Sequence, residues 1–265
     1  MNTKFLNQET GRIAYDDQGN GPLVICIPSM GDIRAEYRFL IPQLVSAGYR
    51  AVSMDVRGMG ETSTVWSDFS VAAIGKDIIA LIREFQAGPA IIIGTSMAAG
   101  AAVWASVEAP ELIRGMIMLG PFVRGDGNRF LETIFSLMVA RPWGPSLWTK
   151  YYSNLYPTCK PADFAEYLLT LRGNLKEPGR VESLKHMLRA SKRASEERLA
   201  SVKQPTLVIM GSKDPDFKNP EEEAKWIAEN LKTTYKIIEN AGHYPHAEKP
   251  DEVGPIMLKF IGSLP

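Results

Sequence analysis

Short, unbroken apolar runs recur along this chain and alternate with stretches in which apolar residues return every three or four positions. The unbroken runs, Leu23 to Ile27, Ile91 to Ile93, Gly115 to Leu119 and Thr206 to Met210, read as strands buried on both faces. Arg50 to Val56 and Thr234 to Glu239 read as further strands, and residues 4–18 as a hairpin turning at Gln8 to Gly11. The helical spacing predicts one helix carrying Tyr37, Leu40, Ile41, Leu44 and Val45, stopped by Gly48, and another over 71–86 carrying Ile74, Ile78, Leu81, Ile82 and Phe85. Further helices are predicted from about 97 to 108, over Glu221 to Asn230 and over Asp251 to Ile261. Strand and helix in alternation predict a parallel sheet covered by helices on both faces.

The alternation stops between residues 122 and 202. No strand pattern is found there. Helical patterns run over Phe130 to Val139, Pro145 to Leu155, Asp163 to Leu171 and Val181 to Leu199. Large side chains concentrate in the same stretch, among them Phe130, Phe135, Met138, Trp143, Trp148, Tyr151, Tyr152, Tyr156, Phe164 and Tyr167. The expected organisation is a core of residues 1–121 and 203–265 with a helical insertion at 122–202. At helical spacing the aromatics are first of all the core of that insertion. Trp143, Trp148 and Tyr151 are candidates for lining a substrate pocket beneath it.

Composition narrows the class. The formal net charge is zero and no Lys/Arg run exceeds two, which argues against nucleic acid or an anionic membrane surface as a partner. Two cysteines, Cys26 in an apolar run and Cys159, indicate neither a disulfide framework nor a zinc site. No apolar run approaches the roughly 18 residues that cross a bilayer, and Met1 to Gly11 is polar, so a cytoplasmic protein is the expectation.

The chemistry centres on Ala90 to Gly100, A-I-I-I-G-T-S-M-A-A-G, a strand, a sharp turn and a helix with Ser96 at the turn. Backbone N–H groups at a helix start can stabilise an anion beside that hydroxyl. Serine is also a favoured helix N-cap, which is the plain reading of the same residue. A serine nucleophile needs a base, and the base an orienting acid. Of the three histidines, His186 sits in the charged part of the insertion. His243 and His246 share the loop A-G-H-Y-P-H after the last strand, and His243, directly after Ala241-Gly242, is the better base. Asp214, the first carboxylate after the strand ending at Met210, is the candidate acid, with Asp216 and then Asp126 behind it. Asp55 and Arg57 are expected to brace their glycine-rich loop as a salt bridge, and Arg34, Glu36, Tyr37 and Arg38 form a polar cluster, read as a first helical turn with a pocket rim as the alternative.

With G-T-S-M-A at 94–98, D-V-R-G-M-G at 55–60, G-S-K-D-P at 211–215 and A-G-H at 241–243 in order, the sequence resembles the α/β-hydrolase superfamily in its capped form. The resemblance implies an eight-stranded, mostly parallel sheet flanked by helices, with residues 122–202 as a cap. It implies Ser96 as nucleophile, His243 as base, Asp214 as orienting acid, and an oxyanion hole of two backbone N–H groups, Met97 and, by position, Met30, with Ser29 next in line for the second. The chain departs from the family where His-Gly-x is usual: it has Pro28-Ser29-Met30, and Pro28 has no N–H to give. Ala98 stands where the elbow usually ends in glycine, and Met59 where histidine is frequent.

The expected activity is hydrolysis of a carboxylic ester of a small-molecule substrate through an acyl-enzyme, with no metal and no organic cofactor. A C–C bond hydrolase of a diketone-like ring-cleavage product, a lactonase or a perhydrolase would use the same residues. A ligand receptor on the same fold is the non-enzymatic alternative.

Overall fold

The computed structural model of this protein describes residues 3–124, 137, 139 and 142–265. Eight strands form one sheet in the order β1-β2-β4-β3-β5-β6-β7-β8. They are β1 (Lys4–Asn7), β2 (Arg12–Gln18), β3 (Leu23–Ile27), β4 (Arg50–Met54), β5 (Ala90–Thr95), β6 (Ile113–Leu119), β7 (Thr206–Gly211) and β8 (Thr234–Ile238). β1 and β2 are antiparallel to their neighbours, and every pairing from β4 to β8 is parallel. This is the α/β-hydrolase fold, with its mostly parallel sheet of eight strands flanked by helices.

Alternation of side chains along a strand divides the apolar residues between two cores. Ile25, Ile27 and Ile92 join one core with Ile74, Ile78 and Leu81 of α2 (Val71–Phe85) and with the small residues of α3 (Met97–Glu108). Val24, Cys26, Ile91 and Ile93 join the other with Leu40, Ile41 and Leu44 of α1 (Leu40–Ser46). A strand inside such a sheet has no polar face, which is why these runs are unbroken. Cys26 is fully buried.

Helix boundaries follow local chemistry. The Ser70 hydroxyl accepts the Ala73 N–H at 3.2 Å and starts α2. The single helix expected through Tyr37 and Val45 is instead a 3-10 turn, Arg34–Tyr37, followed by α1. Pro42 cannot supply the N–H that a continuous helix would need there, and starting at Leu40 places it in the first turn, where none is required.

Between β6 and β7 lie α4 (Gly144–Asn154), α5 (Phe164–Lys176), α6 (Arg180–Arg189) and the short α7 (Arg193–Glu196). The helix expected over Val181 to Leu199 is broken: Ala190 turns extended, and the Ser191 hydroxyl accepts the Arg193 N–H at 3.1 Å. α7 then reaches α3, where the Ser195 hydroxyl donates to Gly100 O at 3.0 Å. The helical pattern expected from Phe130 to Val139, apart from Leu137 and Val139, lies outside the described residues, as do Phe130, Phe135, Met138 and Asp126. The chain closes with α8 (Pro220–Leu231), α9 (Pro245–Glu248) and α10 (Pro250–Gly262). Among the described residues no helix is long and apolar enough to cross a membrane.

Candidate active site

β5 meets α3 with almost no connecting chain. A Cβ at Gly94 would lie 2.8 Å from Ala98 O and 2.9 Å from Ala99 N, so only glycine lets strand and helix approach this closely. Ser96, between them, has φ +57° and ψ −121°, a conformation costing a non-glycine residue about 1–3 kcal/mol. Its surroundings hold it there: Ser96 N–H donates to Leu119 O at 2.8 Å, and Ser96 O accepts from Ala99 N and Phe122 N, each at 3.1 Å. The Ser96 side chain makes no capping bond to α3, so the plain N-cap reading does not account for it.

The loops after β7 and β8 come together at the same sheet edge. They touch by backbone, since a Cβ on Gly211 would collide with the carbonyls of Ala241 and Gly242. The contact brings Asp214 Oδ2 to 2.7 Å from His243 Nδ1. Asp216 Oδ2 lies 3.9 Å from the same nitrogen, and Asp214 Oδ1 accepts the Asp216 N–H at 3.0 Å. His243 N–H donates to Leu155 O at 3.0 Å, tying the loop to the end of α4. Gly120, at φ +47°, completes the fit, because a Cβ there would stand 2.8 Å from His243 O and 3.1 Å from Nδ1.

The imidazole and the Asp214 carboxylate are buried, and Asp216 is partly buried. Burial alone would depress the His243 pKa, but the carboxylate of Asp214 beside it, with Asp216 adding to the field, raises it to about 9. Burial pushes the Asp216 carboxyl up, against the pull of His243. Asp214, Asp216 and His243 are also a group of metal-type donors among the described residues. The His243 nitrogen in that group is already bonded to Asp214, so the geometry is that of an oriented imidazole with a second carboxylate alongside.

Ser96 and His243 line one cavity, with a free volume of about 60 Å³. Met30 and Met97 line it too. Met97 is the first residue of α3, so its N–H has no acceptor within the helix. The Ser29 N–H donates to the buried Glu36 carboxylate at 2.8 Å and is thereby occupied. The Met30 N–H makes no hydrogen bond among the described residues. Trp148 and Tyr151 of α4 line the cavity, whereas Trp143 is 59% exposed and outside it. Trp143 is the N-cap of α4, about 140° around the axis from the face that carries Trp148 toward Gly31.

Other contacts differ from expectation. Asp55 does not pair with Arg57. Its carboxylate binds Arg34 and the Glu61 N–H, while Arg57 binds Asp77 at 2.5 and 2.9 Å and lies over the Trp66 ring. The loop turns Asp55 inward onto Arg34 and Arg57 toward Asp77 of α2, so the two side chains point to different partners. His246 is buried, stacked on Tyr37 with ring centroids 5.1 Å apart, and its pKa is depressed by burial to about 3. His186 stacks on Phe69. Three residues of the site carried no sequence signal, Gly120, Phe122 and Tyr244, and Glu36 showed only as part of the polar cluster after the loop. Each acts through a contact across the fold rather than through a motif.

Comparison with known proteins places this architecture. The sequence profile of the alpha/beta hydrolase fold family matches residues 22–250. A protein designated a non-heme bromoperoxidase, BpoC, from Mycobacterium tuberculosis is 27% identical over 263 residues, 95% of this chain and 98% of that one. The 2-hydroxy-6-oxo-6-phenylhexa-2,4-dienoate hydrolase of Comamonas testosteroni is 26% identical over 266 residues, covering 94% and 91%. Among solved structures, a thermophilic esterase from Thermogutta terrifontis superposes with a TM-score of 0.84 at 20% identity, covering 99% of this chain and 98% of that one.

Proposed function

This chain belongs to the alpha/beta hydrolase fold family, and on that premise we propose that it is a serine hydrolase cleaving small carboxylic esters through Ser96, His243 and Asp214. The observation that carries the reading is the 2.7 Å bond from the Asp214 carboxylate to His243 Nδ1, on a cavity that Ser96 also lines. With Nδ1 carrying its proton to Asp214, Nε2 is the basic nitrogen. Nε2 takes the Ser96 proton as Oγ bonds to the ester carbonyl carbon. The carbonyl oxygen becomes an anion, stabilised by the Met97 and Met30 N–H groups, each such donor being worth about 3 kcal/mol of barrier. His243 then gives the proton to the leaving alkoxide, and a water deprotonated by the same nitrogen releases the acid from Ser96. In this reading residues 122–202 are a cap over the site, which is supported by Trp148, Tyr151 and Leu155 lining the cavity from α4 and its C-terminal end.

A fluorophosphonate probe tests the nucleophile directly. Labelling is expected at Ser96, and a labelled peptide containing any other serine would sink the assignment.

The cavity sets a size limit. Among the described residues the free volume beside Ser96 is about 60 Å³, small for a ligand cavity, which in this reading favours a short acyl group. Across p-nitrophenyl acetate, butyrate, hexanoate and octanoate, kcat/KM is expected to be highest for acetate and to fall with each added pair of methylenes. A rise toward octanoate would contradict this.

The raised His243 pKa also has a measurable sign. The base must be neutral, and its folded pKa of about 9 lies above the ordinary 6.5. The neutral fraction therefore shrinks as pH falls below the folded value, and kcat/KM should still be climbing above neutral pH before it levels. Asp216→Asn removes one negative charge 3.9 Å from Nδ1 and should shift that limb to lower pH. An unmoved limb would show that Asp216 does not act on the base.

A further inference from the structure

The loop after β3 carries the weakest sequence match of the whole site, and the structure shows an unusual arrangement behind it. Pro28 has no N–H, so the first two donors the loop can offer are those of Ser29 and Met30. One is taken. The Ser29 N–H points away to Glu36 Oε2 at 2.8 Å. Glu36 belongs to the 3-10 turn that follows the loop and is fully buried. Burying a carboxyl is expensive unless it is bonded, and an apolar side chain of the same size would ordinarily be the more stable choice. The other oxygen, Oε1, makes no hydrogen bond among the described residues, and faces His246 Nε2 at 3.2 Å.

The rest of the loop is held at different points. The Ser29 hydroxyl bonds the Tyr244 hydroxyl at 2.6 Å, one residue from His243. Gly31 O accepts the Trp148 indole N–H at 2.9 Å. The buried Asp32 carboxylate accepts the hydroxyls of Tyr152, at 2.7 Å, and Tyr167. Of these bonds, only that of Glu36 takes a backbone N–H adjoining the Met30 N–H. The Met30 N–H shares its peptide with Ser29 O, which accepts the Asp32 N–H at 3.2 Å, so that peptide is held by Asp32 on one side and, through the adjoining Ser29 N–H, by Glu36 on the other.

Taking the reading of Ser96 and His243 above as its basis, we propose that Glu36 is a positioning residue of the oxyanion hole: by holding the Ser29 N–H it leaves the Met30 N–H as the donor that faces the cavity. Without it the Ser29 N–H is a buried donor lacking a partner, and the loop can relieve that only by rotating the Ser29 backbone, which strains the bond from the Asp32 N–H to Ser29 O and swings the Met30 N–H off the cavity. Burial raises the Glu36 pKa to about 7. Both the carboxylate and the neutral acid keep an oxygen that accepts the Ser29 N–H, so that bond does not depend on charge and an amide should supply it; because the Glu36 charge also helps hold the His243 pKa up, the variants are compared at a pH above the His243 limb.

The test compares Glu36→Gln with Glu36→Leu, using p-nitrophenyl acetate for turnover and 1,1,1-trifluoroacetone as the probe of the oxyanion. Ser96 Oγ bonds to the carbonyl carbon of that ketone, the Oγ proton passes to His243, and the carbonyl oxygen becomes the anion held in the hole. Removing one oxyanion donor outright costs about 10²–10³ in kcat, so a misplaced donor in Glu36→Leu should cost about tenfold or more. KM should stay near wild type and trifluoroacetone inhibition should weaken by the same factor as kcat. Glu36→Gln should match wild type in both. If kcat and ketone affinity in folded Glu36→Leu stay at the wild-type level, or if Glu36→Gln loses activity as Glu36→Leu does, the proposal is wrong. Should Glu36→Leu fail to fold, Glu36→Ala assayed at lower temperature answers the same question, and loss of kcat in Glu36→Gln overturns the proposal by itself. Ser96→Ala run alongside separates the two readings. An active Ser96→Ala removes the hydrolase assignment, whereas an inactive Ser96→Ala beside a fully active Glu36→Leu removes only the role of Glu36.

Discussion

Ser96→Ala is expected to lower kcat on p-nitrophenyl acetate by about 10⁵- to 10⁶-fold, the scale on which a serine nucleophile supports acyl transfer. The substitution deletes one oxygen and nothing else of consequence to the fold. Alanine at φ +57° bears the same backbone strain as serine, and the three backbone bonds that hold the turn, to Leu119, Ala99 and Phe122, do not involve the side chain. The hydroxyl makes no cap bond whose loss would destabilise α3. The melting temperature should therefore stay close to wild type while turnover and fluorophosphonate labelling disappear together. What activity remains would come from the Met97 and Met30 donors acting on an attacking water. A folded Ser96→Ala protein within tenfold of wild-type kcat would end the assignment of Ser96 as nucleophile.

Asp214→Asn should cost about 10⁴-fold in kcat, for a reason distinct from loss of a contact. An asparagine fits the space and can keep a hydrogen bond to His243 Nδ1. Its amide donates, however, where the carboxylate accepts, so the ring is driven to the tautomer with its proton on Nε2. That nitrogen can then no longer accept from Ser96. The loss of charge also removes the field that holds the His243 pKa up at about 9, so the pH limb should fall as activity falls. Asp216 makes the outcome informative. It stands 3.9 Å from Nδ1, and if it can move in to replace Asp214, the double variant Asp214→Asn, Asp216→Asn will be clearly worse than the single. Equal single and double variants would assign the orienting role to Asp214 alone. A kcat within tenfold of wild type in Asp214→Asn would remove that role altogether.

Much of the frame was legible because it rests on local patterns. The runs Leu23 to Ile27 and Ile91 to Ile93 are apolar at every position because each strand faces a helix layer on both sides, and that condition is written at single positions. The turn at Ser96 was legible for a similar reason. Gly94 and the small residues from Ala98 onward are required by the close approach of β5 and α3, so the composition itself carries the geometry. Where chain termini of elements depend on one residue's own chemistry, as at Pro42 or Ser191, the pattern of apolar positions alone runs across the break.

The sequence by itself determined the alternation of strand and helix, the mostly parallel sheet and the strand ends at which Ser96, Asp214 and His243 stand, because periodicity and turn chemistry are properties of neighbours in the chain. Only the tertiary structure decided which of two carboxylates reaches His243 at 2.7 Å and which stays at 3.9 Å. It alone joined Asp55 to Arg34, put Trp148 over the cavity while leaving Trp143 outside, and turned the Ser29 N–H onto Glu36. The choices between Asp214 and Asp216 and between Trp148 and Trp143 lie between residues of the same type a few positions apart. What separates them is the direction in which a loop backbone leaves its strand, and that direction is set by packing against segments more than a hundred residues away, such as α4 against the loop after β3.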